Sequence, residues 1–276
     1  MIRLTESPIF MLSKDTFKKT IRFGLVAALV GTSNLATAEN LDAEQEEWQA
    51  KGSDPSEIIS RLEVRNEYLG LTNGGYLDQT YLRGDYAPTE NMVFRLDVPL
   101  ADGGRENLGN HFGMGDLIIG GRGKLDLTQN ISWVLGTNFV LDTASNEVLG
   151  SRKNQIVPGT YLVWKPSRKW IISIGYEYST SFGSNNSEPD KISESLFRPG
   201  ALYNMPYGFW FWLDPKIYVN HEQGNNTALF LESELGKVIT PGVEVWLRGG
   251  GNVAGDSGRE ERQGFKAEAG IRYLFE

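Results

Sequence analysis

The strongest constraint on this chain is a period of two sustained over most of its length. In residues 92–100, Met92, Phe94, Leu96, Val98 and Leu100 share one face and Arg95 and Asp97 the other. In 114–127, Leu117, Ile119, Leu125 and Leu127 oppose Asp116, Arg122 and Lys124. The same alternation sets Trp133 and Phe139 against Ser132 and Asn138, Ile174 and Tyr176 against Glu177, and Phe211 and Leu213 against Asp214 and Lys216. It continues with Val245 and Leu247 against Glu244 and Arg248, and with Ile271 and Tyr273 against Lys266, Glu268 and Arg272. A spacing of two puts side chains on opposite faces of a strand. Less regular segments at 58–71, 76–86, 154–165, 192–204 and 227–238 bring the count to twelve strands. They run to about ten residues or more, the length of a tilted membrane strand, whereas strands of soluble sheets average about five or six.

Connections alternate short and long. The short ones are 87–91, 128–130, 166–169, 205–208 and 239–242; the long ones are 101–112, 142–153, 183–191, 221–226 and 254–264. Only the first hairpin, at Asn73-Gly74, has a tight turn on the long-loop side. Short turns at one rim and longer polar loops at the other are the asymmetry of a membrane barrel. Trp133, Trp164, Trp170, Tyr207 and Phe209 lie near the short turns, where an interfacial aromatic belt belongs.

The first 38 residues read as an export signal. Lys14, Lys18, Lys19 and Arg22 form a basic region, Phe23–Val30 a short apolar one, and Ala36-Thr-Ala38 a small-residue cleavage site; Met11 is an alternative start. The five Lys/Arg and two Asp/Glu of this stretch leave 22 basic and 33 acidic residues in 39–276, a net charge of −11. Nucleic acid is excluded as a partner on that balance. With no cysteine there is no disulfide framework. No apolar run after the signal reaches the length of a membrane helix, so a closed sheet is the remaining way into a bilayer. Residues 39–57 are acidic and polar and are expected as a periplasmic segment outside the barrel, with 58–276 forming the barrel itself.

The C-terminal strand resembles the insertion signal of bacterial outer-membrane barrels, polar-x-Gly-x-x-aromatic-x-aromatic, filled by Glu268, Gly270, Tyr273 and Phe275; Glu276 after the aromatic departs from it. The expected fold is therefore all-β, a transmembrane antiparallel up-and-down barrel of about twelve strands behind a cleaved signal peptide. What the resemblance implies as partners are outer-membrane lipid and the barrel-assembly machinery.

Charges on the non-apolar face belong in a lumen, because a cation facing lipid at the midplane costs about 2–4 kcal/mol. Arg95, Asp97, Asp116, Arg122, Lys124, Glu177, Lys216, Arg248 and Arg272 are the candidate pore-lining residues, with Arg198, Asp214, Glu244, Lys266 and Glu268 on the same face. Gly120-Gly-Arg-Gly123-Lys124 lacks the Ser or Thr of a phosphate loop, and Gly113-Met-Gly115 has Ile118 where a dinucleotide fingerprint needs glycine. His111 and His221 are the only histidines, both in long loops, and no nucleophile partner is identifiable for either. No enzymatic activity, metal or cofactor is expected.

Two further stretches carry a family resemblance. Arg95-Leu-Asp-Val-Pro99-Leu followed by Gly113-Met-Gly115-Asp116-Leu117-Ile-Ile-Gly120-Gly-Arg122-Gly, and later Val157-Pro-Gly-Thr-Tyr161, resemble the "MetA pathway of phenol degradation" family of transporter-like outer-membrane barrels. Val140-Leu-Asp142-Thr departs from that family's Leu-Pro-Thr-Gly-Asp. The resemblance implies passive uptake of small, often aromatic or hydrophobic solutes. The alternatives are a non-conducting structural or adhesive barrel acting through its loops, and a barrel hydrolase.

Overall fold

The computed structural model describes residues 47–72, 74–105, 108–183, 191–259 and 264–275. The expected signal peptide and Asn73 of the first turn lie outside the described residues. The strands are β1 (Ser60–Gly70), β2 (Tyr76–Thr89), β3 (Met92–Arg105), β4 (Gly109–Met114), β5 (Leu117–Thr128), β6 (Ile131–Leu141) and β7 (Asn154–Ser167). They continue as β8 (Trp170–Phe182), β9 (Ser193–Asn204), β10 (Phe209–Asn220), β11 (Asn226–Thr240), β12 (Val243–Gly255) and β13 (Phe265–Phe275). Consecutive strands pair antiparallel, except that β4 and β5 both pair with β3 and not with each other, and β1 pairs with β13 from Ser60↔Phe275 to Gly70↔Phe265, which closes the sheet.

The closed ring holds twelve staves, because β4 and β5 share one. β4 pairs with the outer end of β3 at Leu100–Arg105, and β5 with its inner end at Met92–Asp97. The break falls at Gly115-Asp116. Expected and observed strands agree to within a few residues, with one instructive difference. The long loop expected over 101–112 is mostly hairpin: β3 runs to Arg105 and β4 starts at Gly109. Asp102, Gly103 and Gly104 have poor strand propensity, but the ladder to β2 at Asp78, Leu77 and Tyr76 carries them along.

Two environments follow from the alternation. Leu62, Val64, Leu82, Phe94, Leu135, Leu162, Ile174, Leu247 and Ile271 are exposed on the outside. An apolar belt of this extent is far larger than the patch a soluble monomer presents, and lipid is the environment that accommodates it. Trp133, Trp164, Trp170 and Tyr207 are exposed near the short turns, and the Tyr273 and Phe275 rings stack at 5.8 Å.

One expectation fails in the described region. Residues 47–57 do not lie outside the barrel. Trp48 and Ala50 pack on an apolar floor of Val163, Ile171, Leu202, Trp210, Val238 and Trp246, and Ala50, Asp54 and Ser56 are buried. The physical reason is that the inward positions nearest the short turns are apolar, and an open lumen would leave them in water.

Candidate functional site

Inside a closed barrel, a charged side chain must find a partner across the strand ladder or coordinate around the ring. Register supplies that partner here. One row runs Arg95–Asp85–Arg61, in which both arginines claim one carboxylate: Arg61 Nε donates to Asp85 Oδ2 at 2.6 Å, and Arg95 Nε to Oδ1 at 3.0 Å. A second row runs Asp97–Arg83–Glu63–Arg272–Glu244 over four adjacent ladders. Arg83 grips Asp97 through two bonds of 2.7 Å, and Arg272 Nε donates to Glu244 Oε2 at 2.5 Å. A third joins Glu268, Arg248 and Glu234, with Lys266 bridging Glu67 at 2.7 Å and Glu268 at 3.0 Å. Along β8–β11 Arg198 bonds Asp214 at 2.5 Å and Glu177 at 3.2 Å, while Lys216 bonds Glu232 at 2.8 Å. Forked guanidinium pairs of this kind fix geometry as well as charge.

Within these rows sits a lumen cavity of about 350 Å³. Arg95, Arg122, Glu177, Lys216, Arg248 and Arg272 of the candidate set line it. Asp97 is almost fully buried behind Arg83 and does not reach the cavity surface. Lys124 lies off the cavity and pairs with Asp126 at 3.4 Å. Asp116 serves a different purpose. Its carboxylate accepts bonds from the backbone N–H groups of Thr143 (3.2 Å), Ala144 (3.1 Å) and Ser151 (2.6 Å), and so pins the long β6–β7 loop. The break between β4 and β5 places it there. Of the C-terminal motif, Glu268 accepts from Trp246 Nε1 at 2.9 Å and Gly270 leaves room for the same indole, while Tyr273 and Phe275 face outward.

Sequence reasoning missed the charged faces of β1 and β2. Arg61, Glu63, Arg65 and Glu67, with Arg83 and Asp85, complete the rows. The signal was present, since charges of alternating sign stand two apart in Arg61–Glu67 with Leu62 and Val64 between them.

Of residues 47–57, Gly52, Ser53, Asp54 and Pro55 line the cavity, and the bonds of the segment show that it crosses the lumen. Ser53 Oγ donates to Glu234 Oε1 and accepts from Arg272 Nη2, both at 2.5 Å. The next residue, Asp54, pairs with Lys165 at 2.6 Å. Arg272 on β13 and Lys165 on β7 stand six staves apart in a ring of twelve, on opposite walls. Glu57 also pairs with Lys165 (2.8 Å), its carbonyl accepts from Arg122 Nη2 (2.8 Å), and Gln49 bonds the carbonyls of Met205 and Phe209 in the β9–β10 turn.

His111 Nε2 lies 2.9 Å from the carbonyl of Leu108. His221 does have a nucleophile neighbour that the sequence did not reveal. Its Nε2 is 2.8 Å from Ser195 Oγ and its Nδ1 2.7 Å from Asn225 Oδ1. Ser195 is buried and also bonded to the Tyr176 hydroxyl at 3.1 Å. No group of three metal-ligating side chains occurs among the described residues.

The barrel is similar in structure to an outer membrane channel of the COG4313 group from Pseudomonas putida F1, with a TM-score of 0.62 and 15% identity over 80% of this chain and 98% of that one. It is also similar to the NanC porin (TM-score 0.58, 13% identity, 78% and 100% of the two chains) and to the KdgM porin in complex with disordered oligogalacturonate (0.52, 10%, 78% and 99%). No protein-family model and no curated protein matches the chain in sequence. By fold, the chain is a closed antiparallel β-barrel of the bacterial outer-membrane kind that these structures share.

Proposed function

We propose that this protein is an outer-membrane channel for the passive uptake of small solutes. The observation that carries the reading is a polar cavity enclosed by a closed twelve-stave ring whose outer face is apolar. Twelve staves enclose more space than the eight that side chains fill and less than the sixteen of open porins. Solute would enter between the long loops and meet the rows of Arg95, Arg122 and Arg248, where width and charge pairing select it. Residues 47–57 lie across the far end, so transit requires this segment to yield. The fold neighbours that are channels support this reading, and the resemblance to the MetA-pathway barrels supports small aromatic or hydrophobic cargo. The C-terminal residues Glu268, Gly270, Tyr273 and Phe275 are assigned as the signal read by the assembly machinery, and no cofactor takes part. The test is osmotic swelling of liposomes carrying the folded protein in small sugars, aromatic acids and aromatic alcohols. Swelling that falls with solute size supports a channel; liposomes that stay as tight as protein-free ones reject it in favour of a non-conducting barrel.

The Ser195–His221–Asn225 arrangement favours a second reading, an esterase at the long-loop rim. His221 Nε2 is placed to take the Ser195 proton, with Asn225 holding the Nδ1–H tautomer. Hydrolysis of a nitrophenyl ester lost in both Ser195→Ala and His221→Ala would sustain it. A rate equal to that of both variants would end it.

A further inference from the structure

The lumen cavity presents a basic surface although the chain as a whole is acidic. Ten Arg and Lys side chains line it, against five Asp and Glu. The missing carboxylates are present but recessed: Asp85, Asp97, Asp214, Glu232, Glu234 and Glu244 are buried and do not reach the cavity. The ring is thus built with acids behind and bases in front. A solute in the cavity meets guanidinium and ammonium groups.

Arg122 is the least satisfied of these bases. No carboxylate lies within ion-pair distance of it among the described residues, its buried Nε has no acceptor, and its one bond runs to the backbone carbonyl of Glu57. The charges that act on it are Arg61, Arg95, Asp85 and Asp54. Asp85 is already divided between Arg61 and Arg95, and Asp54 is held by Lys165. Three guanidinium groups therefore gather around Asp85, and the one other carboxylate within ion-pair distance of any of them among the described residues is Glu63, 3.9 Å from Arg61. A buried polar group left without a partner marks either a cost or a place for a ligand.

The wall around Arg122 is shaped differently from the rest of the cavity. Its cross-strand neighbours are Val93 on β3 and Gly136 on β6, followed by Val134, Val157 and Gly159 along the same wall. A Cβ at Gly136 would stand 2.8 Å from Arg122 Cβ and 2.8 Å from the Gly121 carbonyl, so the root of the Arg122 side chain lies against bare backbone there. An apolar recess next to unspent positive charge fits an organic anion with a compact hydrophobic body.

We propose that the lumen holds a carboxylate-binding site centred on Arg122, flanked by Arg61 and Arg95, and that its ligand competes with the Glu57 carbonyl for the Arg122 guanidinium. A planar carboxylate matches the guanidinium fork and offers charge where the carbonyl offers only a dipole. Binding therefore releases one of the bonds that hold residues 47–57 across the lumen. The proposal rests on the channel reading only for its consequence, that an anionic solute loosens the segment blocking its own path.

The test is calorimetric titration of the detergent-folded full chain with benzoate, benzyl alcohol and inorganic phosphate. Benzoate should bind more tightly than either, and Arg122→Gln should weaken it about tenfold or more, the worth of one charge-assisted hydrogen bond. Asp54→Asn/Glu57→Gln, which frees the segment from Lys165, should tighten it. That variant leaves every strand of the barrel wall unchanged, altering only the crossing segment, and keeps the proposal testable if Arg122→Gln does not fold. Benzoate binding no tighter than benzyl alcohol overturns the site. Phosphate binding more tightly than benzoate overturns its carboxylate specificity, and unchanged affinity in the Asp54/Glu57 variant overturns the competition. Binding without liposome swelling would remove the channel reading and leave the site standing; swelling without binding would do the reverse.

Discussion

Glu244 shows what a charge inside this barrel requires. It is fully buried, and its Oε2 is held by Arg272, whose guanidinium also lies 4.5 Å above the Trp246 ring and donates to Ser53. Removing one member of a buried pair leaves the other uncompensated, which costs about 3–5 kcal/mol, whereas removing both is much less damaging. We expect Glu244→Ala to lower the urea midpoint of the vesicle-folded protein clearly. Glu244→Ala/Arg272→Ala should recover a large part of that loss. Additive losses would mean that the pair does not act as a unit. The sequence showed Glu244 and Arg272 to be inward-facing, because the period of two around Val243, Val245, Ile271 and Tyr273 is unbroken. It did not show that they are partners, since register depends on the turn between β12 and β13 rather than on either strand. Asp116 fits the same period, yet the strand breaks beside it and turns its carboxylate to the β6–β7 loop.

Among the elements, the strands were legible and residues 47–57 were not. Strands announce themselves through alternation in their own residues. The N-terminal segment is polar, and its placement is written in other elements. Val163, Ile171, Leu202, Trp210 and Val238 are apolar at inward positions, where an aqueous lumen would call for polar groups. Read together, those five positions ask for a cover, and Trp48 and Ala50 supply it. The segment is held on opposite walls through Ser53–Arg272 and Asp54–Lys165. Deleting 47–57 should therefore raise the rate of liposome swelling and broaden the size range admitted, while the unheated protein still shows the heat-modifiable gel mobility of a folded barrel. An unchanged swelling rate would show that the segment does not limit passage. β3 and β4 teach the converse lesson about local propensity. Asp102-Gly103-Gly104 reads as loop, but a ladder already established with β2 extends through it.

At the scale of the whole molecule, the sheet closes on itself, lipid-facing side chains form the outer belt and paired charges fill the inside. Neither surface suits a soluble protein: the belt needs lipid, and the charge rows need an enclosed polar lumen. The twelve-stave count and the alternation of short and long connections were readable because they depend on strand length and turn spacing. The cavity was not, because it depends on which inward side chains pair with one another and which, like Arg122, stay partly unspent. The central claim is that solutes pass through this lumen. Single-channel recording of the full mature chain in a planar bilayer tests it most directly. A conducting lumen with this basic cavity surface should give discrete conductance steps and a reversal potential, under a salt gradient, on the anion-selective side. A folded, heat-modifiable protein that inserts and never conducts, or conducts with cation selectivity, would contradict it.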